Sequence, residues 1–441
     1  MIKSVPSLGR GQGRILGGSG SRIVAALDIG STKIACLIAE WAPDKKSAEI
    51  DIRNGLKVIG FGQTGSRGVR NGTIFDIAEA ERAIRVSVDA AERMASTTIK
   101  SVHVNVSGGK PTTVLTRAAV NCASGVVSSF DTDAAVSACL AQMNVGKRHI
   151  LHLLPCAFSL DGVESLNAPL GMHGDVLNAD IAVVTMDAAA RRNLQMAVER
   201  CHLTISGTTL TPFAAGRSVL AADEMTLGTV IIDLGGSTSS IAVFKNGKLC
   251  GSAIVPLGGQ HITNDIAQGL STTLAHAERL KTLFGSVLGN GHDDRELLAV
   301  PLLGERGVDT VQKIPKHVLT SIIVPRLDEI FDHLNQHLQS DSLAVGQFAR
   351  VVVTGGASQL HGMREFASAR LNLPVRVGAP SGLQGLPDTA RTGGFAAVAG
   401  LLVSAAQPES VYDMPEEARV AIHRSQMTYA RRVGKWLAEA L

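Results

Sequence analysis

Val24-Ala-Ala-Leu-Asp-Ile-Gly-Ser-Thr-Lys33 and Val230-Ile-Ile-Asp-Leu-Gly-Gly-Ser-Thr-Ser239 decide the fold of this chain. Each opens as a short run of Val, Ile, Leu and Ala, the mark of a buried strand, reaches an Asp, then breaks into glycine and small hydroxyl residues. A third stretch, Val351-Val-Val-Thr-Gly-Gly-Ala-Ser358, repeats the strand and the glycine break without the Asp. One such turn occurs in most αβ proteins, where glycine serves a positive φ. Two that share an Asp at the strand end, with a Gly-Gly turn closing the set, require a joint explanation. Apposed glycine turns can bring backbone N–H groups close enough to grip the phosphates of one nucleotide. Asp28 and Asp233 would then face each other across a cleft, and two carboxylates beside a triphosphate repel unless a divalent ion lies between them. The expectation is a nucleotide held by Gly30, Ser31, Thr32, Gly235, Gly236, Ser237 and Thr238, with Lys33 adding a point charge. Mg²⁺ would be held by Asp28 and Asp233, largely through its waters. Neither turn fits G-x-x-x-x-G-K-[ST] or an unambiguous G-x-G-x-x-G, which argues against P-loop and Rossmann sites.

Composition agrees with a soluble protein of two or more cores. Of 441 residues, 45% are hydrophobic and 18% charged, and with only two Trp and two Tyr the cores must rest on Val, Leu, Ile and Ala. A formal charge of +3 is too small for this length to suggest a nucleic-acid binder. Basic residues instead collect at the two ends. Six scattered cysteines (Cys36, Cys122, Cys139, Cys156, Cys201, Cys250) without a C-x-x-C read as reduced cytosolic thiols. No segment is long and apolar enough to span a bilayer, and the N-terminus lacks a signal-peptide core, so any membrane contact is expected to be peripheral.

On these turns the chain resembles the actin, Hsp70 and sugar-kinase superfamily, and within it the FtsA family of bacterial cell-division proteins. The likeness runs from about Arg22 to the C-terminus. The stretches that select the branch are Gly72-Thr-Ile-Phe-Asp-Ile77, Val104-Asn-Val-Ser-Gly108, Leu166-Asn-Ala-Pro-Leu-Gly-Met172, Ala197-Val-Glu-Arg-Cys201, Asp265-Ile-Ala267, Ala277-Glu-Arg-Leu-Lys281, Ile322-Ile-Val-Pro-Arg326 and Val377-Gly-Ala-Pro380. The resemblance implies an α/β, actin-like two-lobed ATPase fold with an FtsA-type IC insertion and a C-terminal amphipathic helix. It divides the chain into a disordered tail (1–22), subdomain IA (23–106 and 186–216), an SHS2-like subdomain IC (107–185), subdomain IIA (217–252 and 325–403), subdomain IIB (253–324), a linker (404–422) and the terminal helix (423–441). The expected elements include helices at Ile77 to Met94, about Thr132 to Met143, Ala188 to Cys201 and Pro325 to Gln339, and an opening of the second lobe at Ala215 to Ala222. Thr392 to Leu401 reads as a small-residue helix able to pack closely on a neighbour, matching the second interdomain crossover.

The same resemblance places adenosine beside Gly355, Gly356 and Ala357, with Glu278 and Lys281 on the helix that borders ribose and adenine, although two such charges also suit a solvated helix face. The second phosphate turn departs from the family's Gly-Gly-Gly-Thr followed by Asp: here it reads Gly235-Gly-Ser-Thr-Ser-Ser240, with a Cβ at Ser237 and no carboxylate at Ser240. Nucleotide binding tolerates this. No residue stands out as the base for an attacking water, so at most weak ATPase activity is expected.

After a polar, Pro-containing stretch the chain ends Arg424-Ser-Gln-Met-Thr-Tyr-Ala-Arg-Arg-Val-Gly-Lys-Trp-Leu-Ala-Glu-Ala-Leu441. At ~100° per residue Tyr429, Val433, Trp436, Leu437 and Leu441 share one half of a helix, and Arg424, Arg431, Arg432 and Lys435 the other. Docking on its own protein would give a helix the same pattern. The position beyond a linker, the basic face and the Trp favour an interface with anionic lipid. In IIB, Lys313, Lys316 and Arg326 offer basic charge where FtsA proteins take the acidic, apolar C-terminal peptide of the tubulin-like protein FtsZ; position 312, often basic in the family, is Gln312. The expected function is an ATP- and Mg²⁺-binding, actin-like protein that polymerises with copies of itself at the inner face of the cytoplasmic membrane. There it would anchor the FtsZ ring at the division site and recruit later division proteins through IC. The alternatives are a PilM-like pilus-assembly adaptor and a small-molecule kinase, the latter lacking any catalytic carboxylate that the sequence reveals.

Overall fold

The computed structural model describes residues 22–42, 51–143, 145–166, 169–289, 295–304, 311–340, 348 and 350–407. The terminal helix expected at 423–441, most of the linker and nearly all of the N-terminal tail lie outside the described residues.

One sheet plan is built twice. In the first lobe β1 (Arg22–Ile29), β2 (Lys33–Trp41) and β3 (Leu56–Gly65) form an antiparallel meander. A short ribbon, β4 (Val69–Arg70) and β5 (Thr73–Ile74), leads into α1 (Ile77–Ala95), which returns the chain to β6 (Ser101–Val106), parallel to β1. The insertion follows: β7 (Thr112–Asn121), α2 (Ser129–Ala141), β8 (Arg148–Leu160), β9 (Val163–Leu166) and β10 (Val176–Asp187), in the sheet order β7-β10-β8-β9. Helix α3 (Ala188–Arg200) then feeds β11 (Thr204–Leu210), which lies parallel to β6 and completes the order β11-β6-β1-β2-β3.

After α4 (Thr211–Val219) and α5 (Ala222–Leu227) the plan repeats with the meander β12 (Thr229–Leu234), β13 (Ser239–Lys245) and β14 (Lys248–Val255). Helices α6 (Gly259–Gly269) and α7 (Leu274–Phe284), the antiparallel pair β15 (Leu297–Pro301) and β16 (Val311–Pro315), and α8 (Lys316–Leu338) intervene before β17 (Arg350–Thr354), parallel to β12. Helix α9 (Met363–Leu371) and β18 (Val375–Val377) close the order β14-β13-β12-β17-β18, and α10 (Ala396–Ala406) ends the described chain. Strand by strand the second sheet copies the first, so Asp28 near the end of β1 and Asp233 near the end of β12 are counterparts. The insertion enters between β6 and α3, while the extra helices of the second lobe enter between β14 and β17.

Both sheets are covered on two faces, which is why β12 is buried at every position and reads as a continuous apolar run. Local signals set the boundaries. Asp76 accepts the Glu79 N–H at 3.0 Å to start α1, and Ser128 with Asp131 forms a capping box that starts α2, caps worth about 1 kcal/mol each. Helices α4 and α10 are copies of one another and pack together between the sheets. A Cβ at Gly400 would lie 1.6 Å from the Ala214 carbonyl oxygen, so only glycine permits this approach.

Three expected boundaries move, and the first is the helix read over Thr392 to Leu401, which spans Ala396–Ala406 and runs into the stretch read as linker. The stretch read as opening the second lobe at Ala215 falls inside a helix that begins at Thr211, with Pro212 in its first turn. The long helix read from Pro325 begins at Lys316 and holds Pro325 inside it. Leu319, Ile323, Leu327, Ile330 and Leu334 are buried on both sides of the proline, and this unbroken stripe outweighs the lost hydrogen bond and ring clash, roughly 3 kcal/mol.

Candidate nucleotide site

The two Asp-led turns close in the same way. The Gly30 N–H donates to the Lys33 carbonyl at 3.1 Å, and the Gly235 N–H to the Thr238 carbonyl at 2.9 Å. Each is a tight link between antiparallel strands at the edge of a lobe, and both face one cavity of about 700 Å³ between the lobes. The turns nearly touch: a Cβ at Gly236 would stand 2.4 Å from Thr32 Cγ2. Ser237 Oγ donates to Ser31 Oγ at 2.5 Å, and Ser31 Oγ accepts the Gly72 N–H at 3.1 Å. The Cβ that distinguishes Ser237 from the family's glycine therefore carries a hydroxyl across the cleft to the opposite turn. The third glycine stretch completes the wall. Gly355 has φ +91°, and a Cβ there would meet Asp233 Oδ1 and the Leu234 carbonyl, each at 2.4 Å.

Asp28 and Asp233 are both buried and line this cavity. Burial pushes Asp28 up to about 6, against the pull of Lys33. Burial, and then the negative charge of Asp28, push Asp233 up to about 7, again against Lys33. Burial likewise holds the Lys33 ammonium below its usual value, against both carboxylates. Lys33 Nζ rests 3.4 Å from the centre of the Phe395 ring, which fixes its place at the cleft floor. Two desolvated carboxylates facing a single lysine leave unbalanced negative charge, the donor chemistry a hard divalent cation satisfies. The residues present thus fit Mg²⁺ and a polyphosphate.

Glu278 and Lys281 lie on α7 at the far side of the same cavity. They hold each other at 2.7 Å, and both reach Thr263: Thr263 Oγ1 donates to Glu278 at 2.5 Å and Lys281 donates to Thr263 at 2.8 Å. Gly355, Gly356 and Ala357 line the same cavity, with open space where a Cβ of Gly356 would project. Sequence reasoning missed Asn105, Gln260, Thr263 and Gln359, which also line it. Asn105 was the most legible of these, because Val104-Asn-Val-Ser-Gly108 is another strand breaking into glycine and lies directly beside β1. Its Oδ1 accepts the Ile29 N–H at 2.7 Å and so braces the first turn.

The basic residues read in IIB stand apart from this cleft. Lys313 is exposed on β16. Lys316 is paired with Glu296 at 2.8 Å, and Arg326 holds Asp265 through two hydrogen bonds of 2.6 and 3.1 Å and also pairs with Glu329. The sequence presented Lys316 and Arg326 as surface charge, but the fold commits both to ion pairs. The membrane set, Arg424 to Leu441, lies outside the described residues.

Comparison with known proteins adds an independent line. A family model described as cell division protein FtsA matches residues 230–400, and one described as the SHS2 domain inserted in FtsA matches residues 108–185. Cell division protein FtsA of Agrobacterium fabrum is 38% identical over 431 residues, 95% of each chain. The FtsA of Neisseria meningitidis is 33% identical, covering 94% of this chain and 98% of its own, and that of Escherichia coli K12 is 28% identical, covering 94% and 97%. Among solved structures, a chain of the PilM-PilN type IV pilus biogenesis complex superposes with a TM-score of 0.61 at 15% identity, covering 87% of this chain and 99% of that one. That likeness speaks to the fold alone, and it agrees with the two-lobed, actin-like fold that the resemblance implied.

Proposed function

Because the chain belongs to the FtsA family of cell-division proteins, we propose that it is an ATP-binding, actin-like protein that tethers the division ring to the membrane. The observation that carries the nucleotide part is the meeting of Asp28 and Asp233, the same position of a duplicated sheet, in one cavity walled by glycine turns. The N–H groups of Gly30 to Thr32 and Gly235 to Thr238 would take the phosphates, Lys33 would add charge, and Asp28 and Asp233 would hold Mg²⁺ through its waters. The cation supplies charge neutralisation of the polyphosphate. Glu278 and Lys281 border the ribose and base, facing Gly355, Gly356 and Ala357.

The rest of the reading follows from the family and the sequence. Residues 423–441 would lie on anionic lipid at the inner face of the cytoplasmic membrane, the surface of IIB around Lys313, Lys316 and Arg326 would take the acidic FtsZ tail peptide, and residues 107–185 would meet later division proteins. Copies of the chain would associate into a polymer. The nucleotide assignment is tested by Asp233→Ala, which should abolish binding of a fluorescent ATP analogue while circular dichroism stays unchanged. Unaltered affinity would overturn it.

A further inference from the structure

Cys156 lies on β8 of the insertion, and Cys250 on β14, the edge strand of the second lobe's sheet. The two strands pack against each other although they belong to different parts of the chain. Cys156 Sγ is 3.7 Å from the carbonyl oxygen of Leu249, the residue before Cys250, and both cysteines line one cavity. Beside them Thr113 and Ser252 share a buried hydroxyl bond of 2.6 Å that ties β7 to β14. This cavity, of about 350 Å³, is lined also by Arg117, Asp180, Lys245 and Asn246. Buried cysteines ordinarily act as small inert hydrophobes. This pair departs from that pattern in having a facing thiol, cationic side chains and a space that admits a small molecule.

We propose that Cys156 and Cys250 form a reversible disulfide, with a peroxide as oxidant, that staples the insertion to the edge of the second lobe. The direction of attack follows from the charges. The neighbouring Cys156 holds the Cys250 thiol below its usual value, aided by Lys245 and Lys248 and opposed by burial, whereas Cys250 and burial push Cys156 up. Cys250 is therefore the more acidic thiol and the first to attack, and Cys156 the resolving thiol. The Cys250 sulfur attacks one peroxide oxygen, an S–O bond forms, the O–O bond breaks, and the departing hydroxide takes a proton to become water. The Cys156 sulfur then attacks the sulfenic sulfur of Cys250, the S–S bond forms, and the hydroxyl leaves with the Cys156 proton as a second water. Two thiols lose two electrons and one peroxide gains them.

The test treats the reduced, full-length protein with hydrogen peroxide under native conditions, alkylates the remaining thiols, and maps linked peptides by mass spectrometry. A peptide joining Cys156 to Cys250 is expected, together with a rise in the thermal midpoint that dithiothreitol reverses. In Cys156→Ala, Cys250 should stop at the sulfenic acid and be trapped by dimedone. In Cys250→Ala, Cys156 should take up no dimedone. Absence of the linked peptide from the native chain at peroxide levels that oxidise the half-buried Cys201, or its appearance only in urea, would overturn the proposal. Dimedone trapping at Cys156 and not at Cys250 would overturn the assigned roles.

Discussion

Acid should destabilise the fold through two buried histidines, one in the insertion and one in the first lobe's sheet, and the size of the effect can be worked out. His152 on β8 accepts the Leu210 N–H at Nε2, 3.0 Å away, and its ring stands edge-on to Phe213 at 5.7 Å. His103 on β6 holds Thr209 at 2.7 Å. Burial, helped by the charge of Arg217, holds His103 down to about 4; burial, helped by His103, holds His152 down to about 3. Both enter the fold neutral, while in the unfolded chain each takes its proton near 6.5. Their folded values lie below the unfolded one, so the stability they contribute is complete above about pH 7 and is lost as pH falls through 6.5 toward the folded values. At about 1.4 kcal/mol per unit, each withdraws roughly 2 kcal/mol by pH 5, against a typical total of about 5–15 kcal/mol. Asp28 and Asp233 act with the opposite sign, since their raised values let the folded state take protons first as pH falls. The measured quantity is therefore the difference between the unsubstituted chain and His152→Gln, whose amide oxygen can still accept the Leu210 N–H without titrating. Urea unfolding followed by circular dichroism at pH 7.5 and 5 should show the variant losing about 2 kcal/mol less. Identical pH dependence in the two proteins would refute the reasoning.

Three further outcomes follow from the packing and the charges. Gly400→Ala places a methyl group 1.6 Å from the Ala214 carbonyl oxygen and should cost about 1–3 kcal/mol or more, read as a lower thermal midpoint; an unchanged midpoint would mean the α4 and α10 contact is looser than described. Lys313→Glu should weaken anisotropy-detected binding of the FtsZ tail peptide, more so at low salt, while Arg326→Glu should also lower the thermal midpoint by setting a third acid against Asp265 and Glu329. Equal midpoints for the two variants would show that the Arg326 pairs do not stabilise the fold. Truncation after Gln407, or Trp436→Glu with Leu437→Glu, should abolish flotation with anionic liposomes, because each large apolar side chain contributes at most roughly 1.5–3 kcal/mol to burial at the interface. Salt should weaken binding of the full chain without eliminating it, and flotation of the truncated chain at the full-length level would make the tail a docking helix.

The two Asp-led turns were legible because they rest on local chemistry: a strand that is buried on both faces must be apolar, and the tight link to its antiparallel neighbour is carried by glycine and small hydroxyl residues. The duplication was legible for the same reason, since both copies carry the Asp at one position. The ion pairs of Lys316 and Arg326 were not. Asp265 lies 61 residues from Arg326 and Glu296 lies 20 from Lys316, and no periodicity connects such partners. The start of α8 was misread because a proline is a strong local signal and the stripe that overrides it faces a core assembled from distant strands. Asn105 was quoted as a mark of resemblance and overlooked as a brace for β1, a role visible only once β6 is known to lie beside β1.

A ligand gripped by both turns fixes the angle between the lobes, because Gly30 to Thr32 belong to one sheet and Gly235 to Thr238 to the other. The pivot cannot be compressed. Helices α4 and α10 meet there at backbone distance, and Arg53, paired with Asp51 at 2.6 Å, donates to the Ser218 and Leu220 carbonyls and to Ser381, so a side chain of the first lobe holds both connections to the second. A rotation of one lobe about so dense a contact would displace groups more the farther they lie from it. The insertion is joined by chain to the first lobe through β6 and α3, yet it rests on β14 of the second. Such a rotation would be felt where β7 and β8 meet β14, beside the Thr113 to Ser252 bond and the two cysteines. A covalent link at that point would hold the insertion at one angle, and through it bias the cleft where Asp28 and Asp233 meet.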